Sequence, residues 1–182
     1  MIALMLGWII PTRVKAQIHQ PRQRFFELGG GLADGIQVRA MDQTAYWLKV
    51  SVGRYGKKEG VWQLGFTSQL KYYAIPDKLL SAQQYFLEGT YAPKVWRTTD
   101  RRLYLILPVG LLMGYERAND EVLSSSLSRA MVGFTGGLSG EWNLSDKTAL
   151  MGYARATFLP SSRIQPFHLQ VGMGIRFTYF KR

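Results

Sequence analysis

His19 and His168 are the chain's two imidazoles, and cysteine is absent. A structural zinc site takes four ligands drawn mainly from Cys and His, so the sequence offers no usual metal site. It also has no disulfide framework and no Cys-anchored lipid. Gly29-Gly30-Gly31 and the glycines between Gly133 and Gly140 lack the Lys-Ser/Thr ending and the following helix of a phosphate loop. Gly137-Leu138-Ser139-Gly140-Glu141 lacks the last glycine of a nucleophile elbow. Acyl-transfer chemistry would therefore need His168 to meet a serine and a carboxylate at some rim. The expectation is no catalytic residue, no cofactor, no metal and no small-molecule substrate, with His168 a hydrogen-bonded filler.

The charges are more informative. Glu27, Lys49, Lys71, Glu88, Arg129, Glu141, Arg155 and Arg176 each stand alone among small or polar residues, on one face of a segment whose other face is apolar. If that face lines a narrow interior, isolated charges are costly and opposite signs must pair. Glu27, Glu88 and Glu141 are expected to pair there with Lys71, Arg129, Arg155 and Arg176. A second set, Lys57, Lys58, Arg97 and Arg101, falls in short connections and makes one end of the molecule basic. It would meet other proteins through acidic surfaces or rest against lipid headgroups. The net charge of +11 is spread without a Lys/Arg run longer than two, which argues against direct nucleic-acid contact.

The elements that would position these residues are long strands. From Phe167 to Tyr179, Phe167, Leu169, Val171, Met173, Ile175, Phe177 and Tyr179 share one face; His168, Gln170, Gly172, Gly174, Arg176 and Thr178 share the other. Strands of about 5–6 residues are usual, whereas about 9–11 tilted residues cross a bilayer. Aromatics at both ends of the apolar face suit an interfacial girdle. The same alternation predicts strands over 24–32, 44–55, 61–74, 81–95, 102–115, 127–142, 147–158 and 166–180. Residues 116–126 read as the longest polar connection, placed with the 34–43 and 159–165 loops at one end. The tighter links fall at the other end, with both termini.

This is the layout of an all-β, eight-stranded antiparallel up-and-down transmembrane β-barrel. Period two alone does not say which face is inside, and a lipocalin-like soluble carrier would turn the apolar face inward. Sparse charges, glycines on the polar face (Gly65, Gly133, Gly137, Gly172, Gly174) and Trp and Tyr near strand ends favour lipid outside. Residues 1–16, an apolar run ending in Val14-Lys15-Ala16, read as a secretory signal peptide. Residues 17–23 then form a short periplasmic leader, and 24–182 the barrel domain.

Several segments carry a resemblance. Gln170, Gly172, Ile175 and Phe177 resemble the C-terminal assembly signal of bacterial outer-membrane barrels, with Lys181-Arg182 after the last aromatic as a departure. Glu27 to Gly30, Gln69 to Tyr73, Glu88-Gly89 with Tyr91, Gly114-Tyr115-Glu116 and Phe167 to Phe177, in that order, resemble the TraO family of Bacteroidetes conjugative transposons. The resemblance spans nearly the whole chain and brings no catalytic residues. It implies an outer-membrane β-barrel in a Gram-negative conjugative transfer apparatus, an anchor or adaptor with other transfer proteins and outer-membrane lipid as partners. An outer-membrane lipid-modifying enzyme and a soluble carrier stay open as alternatives.

Overall fold

The computed structural model describes residues 22–34, 43–56, 60–75, 78–120, 125–162 and 165–179. The expected signal peptide, and the leader up to residue 21, lie outside the described residues. Ten strand segments follow one another: β1 Arg24–Ala33, β2 Gln43–Tyr55, β3 Val61–Ile75, β4 Lys78–Ala92, β5 Lys94–Arg97, β6 Leu103–Ile106, β7 Val109–Asp120, β8 Ser125–Asn143, β9 Thr148–Phe158 and β10 Phe167–Tyr179. Every pairing is antiparallel. The order β8-β7-β4-β3-β2-β1-β10-β9 returns to β8, so the sheet closes on itself as a ring of eight strands.

The ten segments make eight staves because two staves are interrupted. Proline has no N–H to give to a ladder. Pro93 separates β4 from β5, and Pro108 separates β6 from β7. The freed carbonyls are used at once: Leu107 N–H donates to Pro93 O and Gly137 N–H to Pro108 O, both at 3.0 Å. The expected single strands over 81–95 and 102–115 are therefore each divided. The 116–126 connection is also shorter than its polarity suggested. β7 and β8 stay paired as far as Asp120 opposite Ser125, and β3 and β4 as far as Ile75 opposite Lys78. Ladder hydrogen bonds come from the backbone, so a hairpin continues past its apolar band.

The apolar face is outside. Leu48, Trp62, Leu64, Leu111, Met113, Val132, Phe134 and Met173 are exposed, while Glu27, Lys49, Gln69, Lys71, Glu88, Glu141, Arg155, His168, Gln170 and Arg176 are buried within the ring. The β1 glycines serve close approach. Gly31 lies opposite Gly172, and a Cβ on Gly31 would collide with the Val171 carbonyl and the Gly172 Cα. The room so left is taken by Trp47, buried beside Gly172, whose indole N–H is 3.1 Å from Leu32 O and 3.3 Å from Val171 O. Large and small side chains thus alternate around the bore. At the end bearing the termini, Phe25, Tyr55, Val61, Ala92, Tyr104 and Ile106 form an apolar floor.

An arginine on the apolar exterior tests this orientation. Leu64→Arg and Val171→Arg should each lower the folding free energy in a bilayer, by up to about 2–4 kcal/mol according to depth, read from urea titrations of the heat-modifiable folded band in lipid vesicles. Little change in either titration would reverse the assignment of inside and outside.

Candidate functional site

The interior charges gather in three groups stacked along the bore. The first is centred on Arg176 of β10. Glu27 of β1 lies directly opposite it in the ladder, so the two strands bring guanidinium and carboxylate together. Arg176 Nη2 and Nε lie 2.6 and 2.8 Å from Glu27 Oε2. Its Nη1 donates to Glu141 Oε2 at 2.6 Å and to the Tyr55 hydroxyl at 3.1 Å. Tyr55 O–H in turn donates to Glu141 Oε1 at 3.2 Å, and Gln63 Nε2 to Glu27 Oε1 at 2.8 Å. The guanidinium carbon lies 4.2 Å from the centre of the Phe25 ring, adding a cation–π contact.

The second group crosses the bore. Arg155 of β9 donates through Nη2 to both Glu88 oxygens on β4, at 2.8 and 2.9 Å. Thr67 donates to Glu88 at 2.7 Å and Lys49 Nζ lies 3.4 Å away. The third group sits at the loop end. Asp34 leaves β1 with φ 56°, a left-handed conformation that Asp tolerates better than most residues. That turn aims its carboxylate at Lys71 Nζ (3.1 Å), His168 Nδ1 (2.8 Å) and the Leu169 N–H (2.9 Å). Lys71 also bonds Gln165, and Gln69 joins His168 to Gln170. Burial pushes the Asp34 carboxyl up. The hydrogen bond and charge of His168, the Leu169 amide and Lys71 outweigh burial and hold it below its ordinary value.

Six of the seven residues expected in the network are therefore inside and in ion pairs: Glu27, Lys71, Glu88, Glu141, Arg155 and Arg176. Arg129 is different; it is exposed. β8 runs on past β9, which pairs with it only from Phe134 onward, so at Arg129 the wall continues on the β7 side alone, where Glu116 lies opposite. Lys49, placed on that face but left out of the expected pairing, joins the network, and Asp34 has no place in the sequence reading of it. Lys49 shares parity with Trp47 and Ser51, which was signal enough; Asp34 read as the start of a turn. Glu116, expected in a surface loop, is buried against Gln84 and Ser162. In the second set Arg97 is exposed at the end of β5, and Arg101, half-buried with φ 55°, lies in the turn after it. Lys57 and Lys58 lie outside the described residues.

Between the first two groups is a cavity of about 20 Å³ lined by Glu27, Lys49, Thr90, Tyr153, Arg155 and Arg176, room for about one water. Among the described residues no group of three His, Cys, Asp or Glu side chains could hold a metal ion. His168 Nδ1 faces Asp34 and Gln69; its Nε2 is buried with no hydrogen-bond partner in the structure.

Residues 20–179 match the family model described as conjugative transposon protein TraO. The chain belongs to the TraO family. No curated protein matches it. Among solved structures, the surface protein NspA of Neisseria is similar at a TM-score of 0.66 and 9% identity, over 86% of this chain and 97% of that one. Ail, the attachment invasion locus protein of Yersinia pestis, is similar at 0.57 and 11%, over 88% and 100%. The N-terminal barrel domain of Pseudomonas aeruginosa OprF is similar at 0.53 and 10%, over 88% and 100%. Identities this low speak for the fold alone. A closed barrel with an apolar exterior is the form of an outer-membrane protein. This TraO-family member is thus a conjugation-related protein of the outer membrane, and its family implies other transfer proteins as partners.

Removing the central guanidinium takes a charged partner from two buried carboxylates, Glu27 and Glu141. Arg176→Met should lower stability by about 3–5 kcal/mol, and Arg129→Ala should change it by less than about 0.5 kcal/mol. Both are read from urea midpoints in lipid vesicles.

Proposed function

We propose that this barrel is a closed outer-membrane anchor or adaptor of the conjugative transfer apparatus, not a pore and not an enzyme. The observation that carries the reading is the bore itself, crossed by Arg176–Glu27/Glu141 and Arg155–Glu88. A plugged bore leaves the surfaces at the two ends for recognition, and loops held by a rigid scaffold suit that task. The barrel rests in outer-membrane lipid and makes no direct contact with the transferred DNA. The 1–16 segment directs export, and the end bearing the termini faces the periplasm. Arg97 and Arg101 at that end, with Lys57 and Lys58 from the link between β2 and β3 in the sequence, meet acidic surfaces of other transfer components. The lipid-enzyme reading would need a serine beside His168.

Two measurements test the proposal. Purified barrel in planar bilayers should show no stable single-channel conductance; a steady open channel would overturn the closed anchor. Lys57→Glu with Lys58→Glu should lower transfer frequency while barrel abundance in the outer membrane stays unchanged. Unaltered transfer at unaltered abundance would leave these lysines as headgroup anchors only.

A further inference from the structure

Near the terminus-bearing end, one row of outward side chains runs straight across five strands. Tyr179, Arg24, Arg54, Trp62 and Tyr91 are successive ladder partners on β10, β1, β2, β3 and β4. All five are exposed, and the Trp62 and Tyr91 rings lie 4.8 Å apart between centroids. Like charges directly opposite one another destabilise a sheet. Arg24 and Arg54 are such a pair, and neither has a carboxylate within ion-pair distance among the described residues. The charges inside the bore are matched; these two are not.

The next row on the same face has a gap in it. Val52, Leu64, Gly89 and Leu111 are again successive partners. A Cβ at Gly89 would meet nothing within 4 Å, so no neighbour fills the space that glycine leaves. A groove of about 670 Å³ runs from Arg24, Arg54, Trp62 and Tyr179 to this gap. A second, about 450 Å³, continues from Leu64, Gly89 and Leu111 past Leu87, Met113 and Val132 to Phe134 and Pro160. The two share Leu64, Gly89 and Leu111. Together they make one channel on the barrel exterior, cationic and aromatic at one end and apolar along the rest.

We propose that this channel is a binding site for one phospholipid of the leaflet at the terminus-bearing end. Its phosphodiester sits between Arg24 and Arg54 and one acyl chain lies over Gly89. Guanidinium forks match phosphate oxygens, and aromatic rings at the interface flank headgroups. The anion relieves the repulsion between the two arginines, and the chain fills the gap in the apolar row. The site rests on the outer-membrane placement of the barrel and is independent of its role in transfer.

The test is native mass spectrometry of the full barrel released from membranes into mild detergent. Wild type should retain one phospholipid. Arg24→Gln with Arg54→Gln should lower retention about ten-fold, as expected for loss of charge-assisted hydrogen bonds. Gly89→Leu should lower it as well, with the folded band on unheated gels intact in both. If the double variant fails to fold, Gly89→Leu decides alone, because its added side chain enters open space. Undiminished retention in the folded variants overturns the site, as does wild type that retains no lipid or retains lipopolysaccharide instead. Delipidated barrel that takes up inorganic phosphate as readily as phospholipid overturns the acyl-chain part.

Discussion

An eight-stranded ring has a bore that side chains just fill, and in this chain that bore is polar. Every charge placed there loses its hydration and must recover it from a neighbour. Arg176 meets that demand for Glu27, Glu141 and Tyr55 at once, with an aromatic ring against its plane. The interaction depends on closure: Glu27 belongs to the first strand, Glu141 to β8 and Arg176 to the last. Only in the closed ring do the three groups share a wall. Arg155 and Glu88 make the same demand across the bore, from strands that are not neighbours.

The exterior obeys the opposite rule. There the ladder places Leu, Val, Phe and Met in rows, and polar groups appear mainly where the apolar band ends. Each strand therefore carries two independent messages on alternate residues. The inner residues specify partners by charge and hydrogen bonding, which fixes register, because a slip by one would put the polar set into lipid. The outer residues need only be apolar and of a size that leaves the surface smooth. Gly89 departs from that, as Arg24 and Arg54 depart from the absence of charge.

Much of this was legible in the chain. Period two over segments of nine to sixteen residues identified the staves and their two faces, and sparse charges, glycines and end aromatics told inner from outer, including the face of β10 that carries His168, Gln170 and Arg176. Parity does not see where a strand loses its neighbour, so Arg129 read as an inner residue although β9 does not reach it. Polarity misled at Glu116: polar residues suggested a loop, whereas the backbone ladder continues and turns that carboxylate inward. The division of two staves needed Pro93 and Pro108 to be read as breaks in the ladder and not as tolerated residues. Which glutamate meets which arginine depends on register between distant strands, and no local pattern encodes it.

The pairing of β1 with β10 sets the order of assembly. Arg24 faces Tyr179 and Ala33 faces Gln170, so the seam joins the two extremes of the sequence. The loop-closure entropy of nearly the whole chain must be met before that seam gains a single hydrogen bond. Until then β1 and β10 are open edges, prone to pairing with other chains, and Glu27 has no guanidinium. Hairpins such as β3–β4, joined by two residues, can zip early. The last zipper is also the step that neutralises the core, so sealing of the wall and neutralisation of the interior arrive as one cooperative event.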